Sequence, residues 1–329
     1  MPILTLVEAE GLVVRTLTRC LTSVDNACSV ARALIAAEAD GLKGHGLSRL
    51  PLYAAQAKVR KIDGSATPTV TRPRPGLIAI DAGNGFAFPA IESAEAELRK
   101  AASAQGVVAV AIRRSGHCGA AGHPVERLAN EGLATLMFVN TPSAMAPWGG
   151  SRAMFGTNPI AFACPLPGRP PLVIDLSLSK VARGNVMTAK QRGEPIPEGW
   201  ALDEHGQPTT DPNAALRGTM LPMGDAKGTA LALMVELLAA GLTGANFAAE
   251  ASSYLDADGP PPGTGQLLIA FDPAAFGSGV MTRFAVLTAS IEAQKGVRLP
   301  GTRRFAAREK AKTEGVTISD SLLKEIEKV

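Results

Sequence analysis

The sequence predicts an α/β fold preceded by a helical N-terminal region. Three observations carry this expectation. Residues 5–44 place apolar side chains near helical spacing, short apolar runs bounded by Gly, Pro and Asn take over from Ile78 onward, and helical stretches separate several of those runs.

The segment "TLVEAEGLVVRTLTRCLTSVDNACSVARALIAAEADGLKG" reads as two helices, punctuated by Ser23, Asp25 and Asn26 and ending just before His45. The runs "LIAIDAGNGFAF", "GVVAVAIRR", "LATLMFVNT", "NPIAFACP" and "PLVIDLSLS" suit buried strands. Between them "AIESAEAELRKAASAQ" and "HPVERLANE" are helical candidates, so the sheet is expected to be covered by helices. From Gly193 to Gly224 Pro and Gly recur too often for a long regular element, which points to an ordered loop excursion. The apolar stretch from Gly228 to Ala245 carries Glu236 and several glycines and is short for a bilayer span, so it is expected to be a buried helix. Gln266 to Pro273 reads as one more strand, and the Lys-, Arg- and Glu-rich tail from Thr302 as a solvated helix.

Composition narrows the function classes. The chain has 329 residues, of which 46% are hydrophobic, enough to fill a sizeable core in one large domain or two interlocked ones. Net charge is only +3, with 33 basic and 30 acidic residues spread along the chain, so nucleic acid is not an expected partner. Cys20, Cys28, Cys118 and Cys164 are scattered without CxxC pairs, and the N-terminus lacks a signal-peptide pattern. Both point to reduced thiols and a cytoplasmic location, away from membranes. No metal site is expected: the four histidines lack ligand spacing, and His123 and His205 read as surface or structural residues.

Two stretches carry candidate chemistry. No GxGxxG opens a helix after a first strand, so the usual dinucleotide fingerprint is missing. Its nearest approach is "SGHCGAAG", Ser115 to Gly122, after the strand "VVAVAI" and before a helix starting near Pro124. Small residues there let backbone amides approach a diphosphate, and a helix N-terminus favours an anion. The same pattern also describes a tight strand-to-helix turn. In "GHGLSR", His45 has the side chain whose ordinary pKa lies near neutrality, and Arg49 has the fork that grips a carboxylate. If the turn at Leu47 is helical, positions 45 and 49 share a face, placing a proton donor beside a carboxylate anchor. A surface histidine near a helix end with an unrelated arginine is the alternative.

The run "SGHCGAAGHPVERLANEGLATLMFVNTPSAMAPWGGSRAMFGTNPIAFACP", with "DLSLSKVARG", "GEPIPEGWALDEHGQPTTDP", "GDAKGTALALMVELLAAGLTGA" and "VRLPGTRRF", resembles the malate/L-lactate dehydrogenase type 2 family, the sulfolactate-dehydrogenase-like oxidoreductases. That resemblance implies a sulfolactate-dehydrogenase-like fold with a non-Rossmann nicotinamide-binding domain, and a homodimer. It implies residues 1–115 with 280–329 as a discontinuous substrate and dimerisation domain, and 116–279 as the cofactor-binding domain. Carried over by position, His45 is the expected proton donor, Arg49 the carboxylate anchor and Thr157 a substrate contact. NADPH or NADH is expected against His117, Cys118, Gly119, Ala120 and Ala121, against Asp175, Leu176 and Ser177, and against Arg183, Gly184, Lys227 and Gly228. Leu299, Pro300, Gly301, Thr302, Arg303, Arg304 and Phe305 complete that expected lining.

The chain departs from many relatives at Gly44, where they read Ser, at Asn185, where several carry an acid, and at Ala226, where many read His. If the first two groups form a relay in those relatives, His45 lacks it, leaving neighbouring Lys43 either to take part or to stand solvated. The blocks "SKVARGNVMTAKQRGEPIPEGW" to "GPPPGTGQLLIAFDP" resemble most closely the ketimine reductases that make L-proline from Δ1-pyrroline-2-carboxylate, or L-pipecolate from Δ1-piperideine-2-carboxylate. That branch is the expected activity. An NAD-dependent 2-hydroxyacid dehydrogenase acting on malate or lactate, and a catalytically silent nucleotide-binding relative, are the alternatives.

Overall fold

A computed structural model describes residues 1–329. Strand β1 (Ile3–Leu4) leads into α1 (Leu6–Thr18), whose start is a capping box: the Thr5 hydroxyl accepts from the Glu8 N–H while the Glu8 carboxylate accepts from the Thr5 N–H. Ser23 caps α2 (Val24–Ala39), giving the two helices the sequence predicts. That helix stops at Asp40 because Gly41 turns the chain with φ +77°. Two single 3-10 turns, Lys43–His45 and Leu47–Arg49, then enter α3 (Leu50–Lys58). Val13, Leu17, Leu34 and Leu50 of these helices pack with Ala311, Ile318 and Ile326 near the C-terminus, so the two ends of the chain share one core.

The middle of the chain builds a seven-stranded sheet. In sequence order come β2 (Thr69–Arg74), β3 (Leu77–Asp81), α4 (Ala87–Gln105), β4 (Val107–Ser115), α5 (Gly122–Asn130), β5 (Ala134–Val139), β6 (Ile160–Leu166) and β7 (Arg169–Leu176). The end of the run "LIAIDAGNGFAF" is thus the start of α4 rather than strand. After β7 the chain forms α6 (Arg183–Arg192), β8 (Ala201–Leu202), β9 (Pro208–Thr209), α7 (Pro212–Arg217) and β10 (Thr219–Met220). The expected loop excursion is therefore a small lobe with a three-stranded sheet and its own core of Val181, Val186, Ile196, Ala201 and Ala215. Two-residue strands are too short for periodicity to reveal.

Helix α8 (Ala226–Glu236) continues through a π-helical turn, Leu237–Gly241, to β11 (Thr264–Phe271). The chain closes with α9 (Val280–Glu292), α10 (Thr302–Glu314), β12 (Val316–Thr317) paired to β1, and α11 (Asp320–Glu327).

Strand order in the large sheet is β2-β3-β4-β11-β5-β6-β7, and only β3 and β4, joined by the α4 crossover, run parallel. Alternation assigns its faces. Met137, Leu268 and Ala270 pack toward α4 and α5, whereas Phe138 and Leu267 pack toward Ala232, Val235 and Ala239 of α8 and its π turn. The sheet takes β2–β4 from one side of the expected 115/116 boundary and the remaining strands from the other, with β4 hydrogen-bonded to β11.

The sequence reading expects a buried helix from Gly228, and the structure buries only one side of it. One side lies on the sheet, while Leu231, Leu233, Met234, Leu237 and Leu242 are exposed, Leu242 to 68%. Apolar residues cover both faces of this helix, and a single chain supplies a partner for only one.

Candidate active site

The ends of β4, β5 and β7 and the starts of β6 and β11 lie at one edge of the sheet, fixed by the pairs Ser115 with Thr264, Gln266 with Val139, Phe138 with Ile160 and Ile160 with Leu176. Thr157, His117–Ala121 and Asp175–Ser177 lie on segments that leave or approach this edge, whereas Lys227 and Gly228 open α8 and Leu299–Phe305 lead into α10. His45 and Arg49 come to it from the end of α2.

Glu38, buried on the last turn of α2, organises that approach. Its Oε2 accepts the Leu47 N–H at 2.9 Å and its Oε1 receives the Lys43 ammonium. A Cβ on Gly46 would lie 2.1 Å from Glu38 Oε2, so Gly46 is required by this carboxylate; a Cβ on Gly44 would meet nothing within 4 Å. Lys43 also donates to the Thr317 carbonyl and forms no hydrogen bond to His45. Because the chain is extended at Gly46 (φ −95°, ψ −143°), His45 and Arg49 are not on successive turns of one α-helix. They are neighbours nonetheless: Arg49 Nε donates to the Gly44 carbonyl at 2.7 Å, and its charge is felt by His45. The Arg49 guanidinium forms no ion pair with any acid of the chain.

His45 stacks on His117, with ring centroids 5.5 Å apart and planes 11° from parallel. Tyr53 Oη lies 2.6 Å from His117 Nδ1, and Tyr254 meets the same ring edge-on at 5.1 Å. The chain has only two tyrosines, and both converge on His117. Tyr254 is hydrogen-bonded to Thr264 Oγ1, which donates to the Ser115 carbonyl at 2.9 Å. Burial, then the charges of Arg49 and His123, pulls His45 down to about 4. Burial, then Arg49 and His45, holds His117 well below its ordinary value. Both imidazoles are therefore neutral near pH 7, and His45 Nδ1 is buried without a hydrogen-bond partner. Tyr53 and Tyr254 escape the sequence reading. Tyr53, four residues after Arg49, carried a usable signal; Tyr254 is about 140 residues from His117 in sequence.

From the end of β4 the chain crosses to the start of α5, which packs on β6 and β7. The distance from β4 to β7 along the edge is roughly 19 Å, four strand spacings of about 4.8 Å, so the Gly116–Ala121 segment is stretched along the edge. The backbone N–H groups of His117 through Ala121 have no acceptor in the protein. Such a run of free amides fits the diphosphate of a dinucleotide. The first amide of α5 is already taken, since Asp175 Oδ2 accepts the Gly122 N–H at 2.7 Å. A Cβ on Gly122 would lie 2.8 Å from Arg304 Nη1 and 3.0 Å from the Asp175 side chain, which explains the glycine. Asp175 is exposed near the end of β7, where the protein packed around its carboxyl raises its pKa against the pull of the Gly122 amide, Arg304 and His123.

The expected lining from Leu299 to Phe305 runs beside β7, with Gly301 next to the Val173 carbonyl. Arg303 is exposed, whereas Arg304 turns inward to Glu126 at 2.9 Å. It joins a cluster in which Arg308 and His123 hold Asp40 and Arg308 also holds Glu126. Burial alone would raise the Asp40 carboxyl, but the hydrogen bonds and charges of His123 and Arg308 hold it at about 2. His123 is thus structural, His205 is on the surface, and the tail helix is less solvated than its composition implies. Cys118 is a buried thiol pushed up to about 12, first by burial and then by Asp175.

Thr157, Ser177, Arg183, Gly184, Lys227 and Gly228 form a second group around the segment leaving β7. The Thr157 carbonyl accepts from the Leu178 N–H at 2.8 Å, Lys180 N–H donates to Leu221, and Met223 N–H to Leu178. Arg183 is half-buried at the start of α6 and Lys227 exposed at the start of α8. No hydrogen bond links this group directly to His45 or Arg49; the sheet edge joins them. No three His, Cys, Asp or Glu side chains are grouped as metal ligands, and no helix is long and apolar enough to cross a membrane.

A family model described as malate/L-lactate dehydrogenase matches residues 4–327. The chain belongs to the malate/L-lactate dehydrogenase family. It is an oxidoreductase of that family, whose fold agrees with the sulfolactate-dehydrogenase-like expectation. The chain is 54% identical over 319 residues, covering 97% of it and 95% of the relative, to a (2R)-3-sulfolactate dehydrogenase (NADP(+)) of Chromohalobacter salexigens. A Delta(1)-pyrroline-2-carboxylate/Delta(1)-piperideine-2-carboxylate reductase of Pseudomonas aeruginosa is 41% identical, with 98% of each chain covered. Among solved structures, a delta1-piperideine-2-carboxylate reductase from Pseudomonas syringae superposes with a TM-score of 0.93 at 36% identity, covering 100% of this chain and 99% of that one. The sulfolactate dehydrogenase of Methanocaldococcus jannaschii gives a TM-score of 0.91 at 29% identity, covering 99% and 96%. Within this family fold, the residues at the sheet edge are the candidate active site.

Proposed function

We propose that this protein uses NADP(H) or NAD(H) to reduce, and in reverse oxidise, a carbon adjacent to a carboxylate, with Arg49 holding the carboxylate and His45 transferring the proton. The observation that carries this reading is an unpaired guanidinium beside two stacked, neutral imidazoles. When bound, the nicotinamide supplies the hydride. Arg49 supplies a bidentate donor for the acid end of the substrate. Its positive charge helps to hold His45 neutral, so a carboxylate docked on Arg49 offsets that charge and raises the affinity of His45 for a proton as substrate arrives. His117, bonded to Tyr53, walls the other side. The free amides of His117–Ala121 and the exposed Asp175 would hold the dinucleotide, with Arg183, Lys227 and the Leu299–Phe305 segment around it.

The preferred substrate is a 2-hydroxy acid of the 3-sulfolactate type, a reading supported by the 54% identity to the sulfolactate dehydrogenase. This departs from the ketimine branch favoured by the sequence blocks. Reduction of a cyclic ketimine carboxylate remains the second reading, supported by the 41% relative and the P. syringae structure. Purified protein assayed with NADP+ and (2R)-3-sulfolactate, and with NADPH and the two cyclic imines, oxaloacetate or pyruvate, separates them. Faster turnover of sulfolactate supports the first reading; turnover of the imines alone overturns it. His45→Ala is expected to lose about a hundredfold or more, whereas a catalytically silent protein would show no His45-dependent turnover. We also propose a homodimer through the uncovered face of α8 and its π turn, which light scattering would detect and Leu237→Glu would weaken.

A further inference from the structure

Lys61, just past the end of α3, has a side chain with 0% exposure. A lysine is rarely buried so completely unless its charge is met. Its ammonium donates to the carbonyls of Ser253 at 2.8 Å and Asp258 at 2.6 Å, and approaches Asp256 Oδ1 at 3.0 Å and the Asp256 carbonyl at 3.3 Å. Gln56, on α3, adds a second tether: its Nε2 donates to the Asp256 carbonyl at 2.8 Å and the Tyr254 carbonyl at 3.3 Å. All these acceptors belong to the connection between the π turn and β11, which has no helix or strand from Leu242 to Gly263. Around Tyr254 the backbone carbonyls turn toward α3 rather than into any ladder.

We propose that Lys61 is a positioning residue for the reaction: its buried ammonium clamps the loop around Tyr254 onto α3 and so holds the Tyr254 ring against His117. Without the ammonium, the Ser253 and Asp258 carbonyls lose their donor, the Asp256 carbonyl keeps only Gln56 and the Asp256 carboxylate keeps only the Asp258 N–H, so the loop loses most of what ties it down. The clamp acts from the far side of the loop. Tyr254 faces His117 and Thr264, while its neighbours Ser253 and Asp256 face Lys61. The groups that bear on the His117 ring are Arg49, His45, Tyr53 and Tyr254. Only Tyr254 among them depends on Lys61. The proposal rests on the reading that the paired imidazoles are the reacting site.

The test uses the full chain carrying 3-fluorotyrosine, whose two 19F resonances are assigned with Tyr53→Phe and Tyr254→Phe. In Lys61→Ala the Tyr254 resonance is expected to shift and broaden while that of Tyr53 stays. The His117 ring-proton titration is expected to move up toward the ordinary histidine range as the loop lifts. Turnover of the carboxylate substrate should fall about tenfold or more, with the KM for the dinucleotide nearly unchanged. Methylammonium, which offers the same donors to the emptied cage, should restore the Tyr254 signal. A folded Lys61→Ala with native Tyr254 and His117 signals overturns the clamp, whatever its turnover. Asp256→Ala, which removes the half-exposed carboxylate of the cage, should give the same shifts at smaller size. If Lys61→Ala is unfolded and Asp256→Ala is native in both signals, Lys61 serves the fold alone and the proposal fails. Shifts in both signals with unchanged turnover would leave the clamp standing and overturn the assignment of the active site instead.

Discussion

The hydroxyl of Tyr53 lies 2.6 Å from Nδ1 of His117, and this contact holds the Nδ1 side of the imidazole against α3. Burial raises the Tyr53 pKa, so the phenol keeps its proton beside Nδ1, and the tautomer of the neutral His117 ring sets which of the two donates. Tyr53→Phe leaves a buried nitrogen without its hydrogen-bond partner, at a cost of about 1–3 kcal/mol. Chemical denaturation should show that loss, and kcat should fall while the KM for the dinucleotide changes little.

Arg49 is expected to be the residue most specific to the acid end of the substrate. Arg49→Ala should lower kcat/KM for the carboxylate about a hundredfold and leave dinucleotide binding, read by fluorescence, close to native. Arg49→Lys keeps the charge without the fork and should recover only part of the loss. Equal losses on acid and dinucleotide would show that Arg49 does not act as the carboxylate anchor.

His45 makes stability depend on pH. Between about pH 6.5 and pH 4 the unfolded chain binds a proton at this ring that the folded protein refuses. Stability is therefore fully present above 6.5 and falls as pH drops toward 4. The shift is worth about 3 kcal/mol at the acid end, and His117 adds loss of the same sign. Urea midpoints measured from neutral pH downward should decline, and His45→Gln should flatten the decline.

The glycines that flank His45 should behave differently. Gly46→Ala would drive a methyl into Glu38 Oε2, which Leu47 and Lys43 hold in place, and is expected to destabilise by about 1–3 kcal/mol. Gly44→Ser meets open space and should leave thermal stability within about 0.5 kcal/mol. Because His45 Nδ1 has no partner, a serine there offers it one, and Gly44→Ser is expected to move the pH optimum of turnover without unfolding the protein. A loss of stability at Gly44 equal to that at Gly46 would contradict this account.

The glycines around His45 show how far the sequence could be read. Their presence pointed to a special histidine, yet the reason for Gly46 is a carboxylate eight residues earlier, which only the turn after α2 brings back. The α/β alternation, the N-terminal helices and the candidates His45 and Arg49 were legible because helix caps, short apolar runs and residue chemistry are local properties, whereas His117 entered only through the family resemblance, as cofactor lining. The lobe after β7 was not, because its strands are two residues long. Arg304 looked solvated because composition alone does not show that α10 turns it toward Glu126 and Asp40.

By itself the sequence determined the two N-terminal helices and most strands of the large sheet, and which side chains have the chemistry for proton transfer and carboxylate binding. Tertiary structure decided who stands beside whom. Sheet order brings the ends of β4 and β7 and the start of β11 to one edge, and Lys61 and Gln56 hold Tyr254 there against His117. Those pairings join residues far apart along the chain, and their energy comes from burial and hydrogen bonds that do not exist until the sheet has closed.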